Sequence, residues 1–189
     1  MDINTINLTI IRDSIEESIA TKKALVNNMS LLAKLSGLAD YSVKALNSGG
    51  KVIFAGNGGS FSDAQHMSAE FVSRFLFNRD PLASIVLGAN NSTISAIGND
   101  YGYEMVFSRE LECLAKPDDV FIPISTSGNS RNVLAAVETS IKLGIYTIGL
   151  TGHSGGKMSE LCDCICVPSS KTALIQESHI MLGHIFCGL

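Results

Sequence analysis

Hydrophobic positions in the first quarter of the chain recur at helical spacing, and the stretch from Ile6 to about Asn47 holds no proline and only one glycine, Gly37. Ile11, Ile15 and Ile19 fall four apart, and Leu31, Leu32, Leu35 and Leu38 repeat at three and four, the stripe of an amphipathic helix. The pattern predicts two helices over about residues 6–47. They carry more apolar surface than an exposed arm should, which points to packing against another subunit as well as their own core.

After Gly49-Gly50 the texture changes to short apolar runs at Val52–Ala55, Ala83–Leu87, Val120–Ile124, Tyr146–Leu150 and Cys164–Val167, each followed by turn residues and then a helical segment. Their brevity and β-branched content suit buried strands. Strand alternating with helix predicts a single α/β domain, its core over about residues 50–187, with a parallel sheet covered on both faces. In such sheets ligands bind beyond the carboxyl ends of the strands, so the loops there are where chemistry is sought. Cys162, Cys164 and Cys166 alternate along the last run and read as a buried apolar row on one face.

Composition narrows the partners. A formal net charge of −4 and a pI near 5.5 argue against a nucleic-acid binder, which needs clustered cations, but leave room for one phosphate held by backbone N–H groups at a helix start. Five cysteines, an odd number, with no secretory pattern at the start, fit reduced thiols and a cytoplasmic protein. No stretch has the uninterrupted apolar length of a membrane span.

Two strand-to-helix loops look fit to hold a phosphate. Gly56-Asn57-Gly58-Gly59-Ser60 offers glycines for close backbone approach, and Ser60 with Asp63 resembles a capping pair at the helix start. Phe61 stands where a dinucleotide fingerprint needs glycine, and no Gly-Lys-Ser/Thr follows, so neither nucleotide motif applies. The second loop, Ser125-Thr126-Ser127-Gly128-Asn129-Ser130, sets four hydroxyls at a helix start predicted over Arg131–Leu143. It reads equally as a serine-rich turn with an N-cap.

The helix after the first loop carries His66 and Glu70 four residues apart on one face, and the last helix carries Gln176 and His184 eight apart, again on one face. Two imidazoles, a carboxylate and an amide oxygen suit a zinc ion, with glutamine the uncommon member. Glu70 with Arg74 also fits a plain i,i+4 ion pair, and His153 and His179 read as ordinary histidines.

Read together, Gly56–Ser60 with Asp63-Ala64-Gln65-His66 and Ala69-Glu70, then Ala96–Gly102, then Ile124–Ser130, then Ile175-Gln176-Glu177 and His179 to His184, resemble the phosphoheptose isomerases of the sugar isomerase (SIS) superfamily. The resemblance spans about residues 50–185. It implies an α/β/α sandwich with a five-stranded parallel sheet preceded by N-terminal helices, assembled as a homotetramer with sites at subunit interfaces. It implies conversion of sedoheptulose 7-phosphate to glycero-manno-heptose 7-phosphate for surface glycans. Zinc would lie at His66, Glu70, Gln176 and His184, and the phosphate at Ser60, Ser125, Thr126, Ser127 and Ser130 with Gly58 and Gly59. Asn57, Asn99, Asp100 and Gln176 would meet the sugar. Glu70 would be the base that takes the C1 proton, and His184 the acid/base that serves the oxygens.

Two departures stand out. Phe61 replaces a small residue, and Ala173-Leu174 replaces a pair that is often Asp-Arg, which opens the substrate's identity to another sugar phosphate. A non-catalytic SIS relative that binds a sugar phosphate or a replication initiator is the other reading. It has no need of the His66/Glu70 and Gln176/His184 pairs that this chain carries.

Overall fold

The structure, a computed structural model, describes residues 3–189. Two long helices lead: α1 (Ile3–Val26) and α2 (Met29–Asn47), the latter capped by Asn28, whose side chain accepts from the Leu31 N–H. Strands β1 (Val52–Gly56), β2 (Ser84–Val86), β3 (Val120–Ile124), β4 (Tyr146–Thr151) and β5 (Asp163–Cys166) then alternate with helices. Those helices are α3 (Gly59–Val72), α4 (Asn91–Tyr101), α5 (Val106–Leu114), α6 (Arg131–Lys142), the short α7 (Met158–Leu161) and α8 (Thr172–Gly188). A single 3-10 turn, Tyr103–Met105, joins α4 to α5.

All strand pairs are parallel, in the order β2-β1-β3-β4-β5. The two-residue period of the strands splits the core into two layers. Val52, Phe54, Ile122 and Ile124 face Leu31, Leu35, Leu38, Met67, Phe71, Leu182 and Phe186 of α2, α3 and α8. Ile53, Ala55 and Phe121 face Val106, Phe107, Leu111, Val133, Val137 and Met158 of α5, α6 and α7. This is the expected three-layer sandwich, with each expected strand found to within one or two residues.

The cysteine row joins the second layer: Cys164 is buried there, and Cys162 and Cys166 pack against it. Cys162 lies just before β5, as the residue that ends α7. No described helix is long and apolar enough to cross a membrane. Most of α1 stands away from its own domain: Ile3, Leu8, Ile10, Ile11, Ile15 and Ile19 are exposed, and only Thr21 and Leu25 are buried. Its second half is tied down by polar contacts to the last helix, where Lys22 and Ser18 donate to Glu177 and Lys171 pairs with Glu17.

Candidate active site

The strand order reverses direction between β1 and β3, and both candidate loops leave the sheet at that point, where open α/β sheets bind ligands. The loops are joined by a reciprocal amide pair. Asn57 Nδ2 donates to Asn132 Oδ1 at 2.9 Å, and Asn132 Nδ2 donates to Asn57 Oδ1 at 2.9 Å. The Tyr103 hydroxyl adds a second donor to Asn57 Oδ1 at 3.1 Å. With its oxygen doubly engaged, Asn57 keeps one N–H to offer a ligand. Nothing in the sequence pattern marks Tyr103 or Asn132, because their roles arise only where the 3-10 turn after α4, the head of α6 and the end of β1 meet.

Helix α3 does not start with the expected capping pair. Gly58, at φ 54, is the N-cap and no side chain caps the helix, so Ser60 already lies inside the first turn. Asp63 is buried instead, with Oδ2 unpartnered, and burial pushes its carboxyl up to about 6 against the pull of nearby His66. Phe61 packs as a wall: with Asn57, Gly58, Tyr103 and Phe107 it lines a cavity of about 180 Å³ at the end of β1.

The second loop likewise leaves its helix uncapped. Ser130 is the N-cap of α6, yet its hydroxyl pairs with that of Ser125 at 3.1 Å and caps nothing. Gly128, at φ 66, packs so tightly on the Gly155 carbonyl that a Cβ would overlap it, and Ser127 accepts from the Asn129 N–H. The result is a neutral, hydroxyl-lined turn with Ser125 buried, Thr126 and Ser130 half-buried and Ser127 exposed.

Helices α3 and α8 both start at the carboxyl edge of the sheet and pack side by side. Two glycines permit the closeness: a Cβ on Gly59 would overlap the Gln176 amide, and one on Gly183 would overlap the Met67 side chain. The neighbours of that second contact, His66 and His184, therefore meet, with Nε2 atoms 2.8 Å apart. Glu70 Oε1 lies 3.4 Å from His66 Nε2, and ligand atoms of all three fall within 4.8 Å of one another. Two imidazole nitrogens and a carboxylate oxygen form a borderline donor set that fits a zinc ion.

Three of the four expected metal ligands thus converge, while Gln176 rests its amide on Gly59 at the head of α3. Asn99 and Asp100, hydrogen-bonded to each other, line a separate open depression with Asn91, Ser92 and Ser95. A larger cavity of about 910 Å³ opens on another face of α3, against β2, and contains none of these groups. Leu174, at the position of the departing arginine, is buried, while Ala173 is exposed. His179 is buried with Nε2 on the Thr151 carbonyl, and His153 is exposed, as ordinary histidines are.

A family model for the SIS domain matches residues 16–152. The phosphoheptose isomerase of Aneurinibacillus thermoaerophilus is 49% identical over 180 residues, 95% of this chain and 91% of its own length. Phosphoheptose isomerase 2 of Campylobacter jejuni is 48% identical over 180 residues, covering 95% and 90%. Among solved structures, a phosphoheptose isomerase from Francisella tularensis superposes with a TM-score of 0.92 at 36% identity, and that from Neisseria gonorrhoeae with 0.89 at 37%, each covering 96% of both chains. With likeness of this degree along nearly its whole length, the chain belongs to the phosphoheptose isomerase family of SIS-domain proteins.

Proposed function

We propose that the chain interconverts sedoheptulose 7-phosphate and glycero-manno-heptose 7-phosphate at a zinc centre, supplying heptose for surface glycans. The observation that carries this reading is the gathering of His184 of α8 with His66 and Glu70 of α3, the helix whose head forms the first phosphate loop. Glu70 lies about three turns along α3 from that loop, so one rigid element serves both the anion end and the reacting end of a sugar phosphate.

Moving a carbonyl from C2 to C1 requires a proton taken from C1 and returned to C2, with negative charge building on the two oxygens between. Glu70 takes the C1 proton and returns it to C2, and His184 moves protons at the oxygens. Ser60, Ser125, Thr126, Ser127 and Ser130, with the backbone of Gly58 and Gly59, hold the phosphate so that the far end of the sugar meets these groups in one orientation. Asn57 engages sugar hydroxyls, while Asn99 and Asp100, in their separate depression, would meet a sugar only across a subunit interface. His66, Glu70 and His184, with Gln176 as the expected fourth ligand, would hold a zinc ion, which when bound would supply positive charge against the charge developing on the substrate oxygens.

The exposed apolar stripe of α1 supports assembly into a homotetramer, since a free monomer would leave it in water. Five unpaired cysteines suit a reducing cytoplasm.

The test is an assay for the aldose product with and without a chelator. Turnover should vanish with the chelator and return with added Zn²⁺. Binding of the sugar phosphate with no conversion under any metal would replace this reading with that of a binding protein.

A further inference from the structure

Just beyond α3 the chain makes a three-residue turn in which the Phe77 N–H donates to the Phe75 carbonyl at 2.7 Å. At its centre Leu76 has φ 60, the one non-glycine residue with positive φ among those described. A leucine there costs on the order of 1 kcal/mol or more, and such strain persists only where its surroundings over-determine it. Leu76 itself is 81% exposed, so its own side chain offsets nothing.

The gain lies at the flank. The Phe75 ring is stacked on the His184 imidazole, with centroids 5.7 Å apart and planes 3° from parallel. Its edge rests on Gly188, one turn further along α8, where an added Cβ would come within 3.5 Å of the ring. Arg79 secures the exit from α3, donating to the carbonyls of Phe71 at 2.9 Å and Glu70 at 2.8 Å.

For an imidazole ligand the donor lone pair lies in the ring plane, and the torsion that turns this plane is the broad, soft one. His66 meets His184 edge-on, with centroids 5.0 Å apart at 81°, and leaves a face of the ring to be covered. Phe75 covers a face with a flat partner. An aliphatic side chain of similar volume would exclude water equally well but would not register the plane.

We infer that Phe75 is a positioning residue: its ring, delivered by the strained turn at Leu76, fixes the plane of His184 so that Nε2 stays aimed at the point shared with His66 and Glu70. The inference rests on the reading of those three residues as a metal centre. Residues that orient a metal-binding imidazole usually bond its second nitrogen; here the orienting contact is a face.

The experiment uses the full chain stripped of metal and titrated with Co²⁺, followed by its visible d–d absorption, in wild type, Phe75→Leu and Phe75→Tyr. Phe75→Leu should bind Co²⁺ about tenfold more weakly or worse, with an altered band, the usual size of effect for a residue that orients a ligand. Phe75→Tyr, which keeps the flat ring, should stay within about threefold of wild type with an unaltered band. If Phe75→Leu does not fold, Phe75→Met makes the same comparison. An unaltered band and affinity in the aliphatic variant overturn the inference while leaving the metal centre standing, and so does equal loss in the leucine and tyrosine variants. A wild type that takes up no Co²⁺ overturns the metal centre and the inference with it.

Discussion

Gly183 of α8 lies directly against the side chain of Met67 of α3, with no room for a Cβ between them. Each has a histidine as its sequence neighbour, so this contact sets how near His66 and His184 can come.

Gly183→Ala should therefore strain the α3/α8 packing at a cost of about 1–3 kcal/mol, the usual range for overpacking a well-filled core. It should lower the midpoint of thermal unfolding and weaken Zn²⁺ uptake together. An alanine variant with both quantities at wild-type values would show that the two helices are not set by this contact.

Glu70→Gln removes the proposed base while keeping size and polarity. Turnover should fall by about 10²–10⁴-fold, the usual contribution of a general base. The fold should survive, because the Glu70 side chain reaches only the His66 ring among the described ion pairs. Product formation near the wild-type rate would withdraw the base assignment.

Tyr103→Phe removes one donor from Asn57 Oδ1 and leaves the amide pair with Asn132 in place. A neutral hydrogen bond is worth about 1 kcal/mol, or roughly a fivefold change in an equilibrium constant. KM for the sugar phosphate should rise by about that factor with little change in kcat. Loss confined to kcat would instead place Tyr103 in the chemistry.

His179 makes stability depend on pH. Its Nε2–H donates to Thr151, Nδ1 has no partner, and burial holds its pKa down at about 4 against an ordinary 6.5. Between these values the unfolded chain binds a proton that the folded chain refuses. The stabilisation is full above pH 6.5 and is lost as pH falls toward 4, roughly 3 kcal/mol in all. Asp63 has the opposite sign, because its raised carboxyl favours folding below the ordinary value of 3.8 and loses that advantage as pH rises through about 6. In His179→Gln, urea unfolding should show the slope of stability against pH reduced by one proton in the His179 window. Identical slopes in wild type and variant would mean that His179 titrates freely.

What could be read along the chain was whatever depends on neighbours in sequence. The five strands and the flanking helices appear in the periods of apolar residues, because burial of a face imposes a period of two or 3.6 wherever the core sits. His66 with Glu70 is legible for the same reason, four residues on a helix sharing a face. The Ser60/Asp63 cap was misleading because Gly58, free to take a positive φ, caps the helix two residues earlier and leaves Asp63 inside.

The meeting of His66 with His184 depends on two small contacts between helices more than a hundred residues apart, and no local period encodes those. The same holds for Tyr103 on Asn57, Phe75 on His184 and Gln176 on Gly59. Periodicity states which side of an element is buried. Which atoms then touch is decided by how closely the elements pack, and here glycines in α3 and α8 decide it.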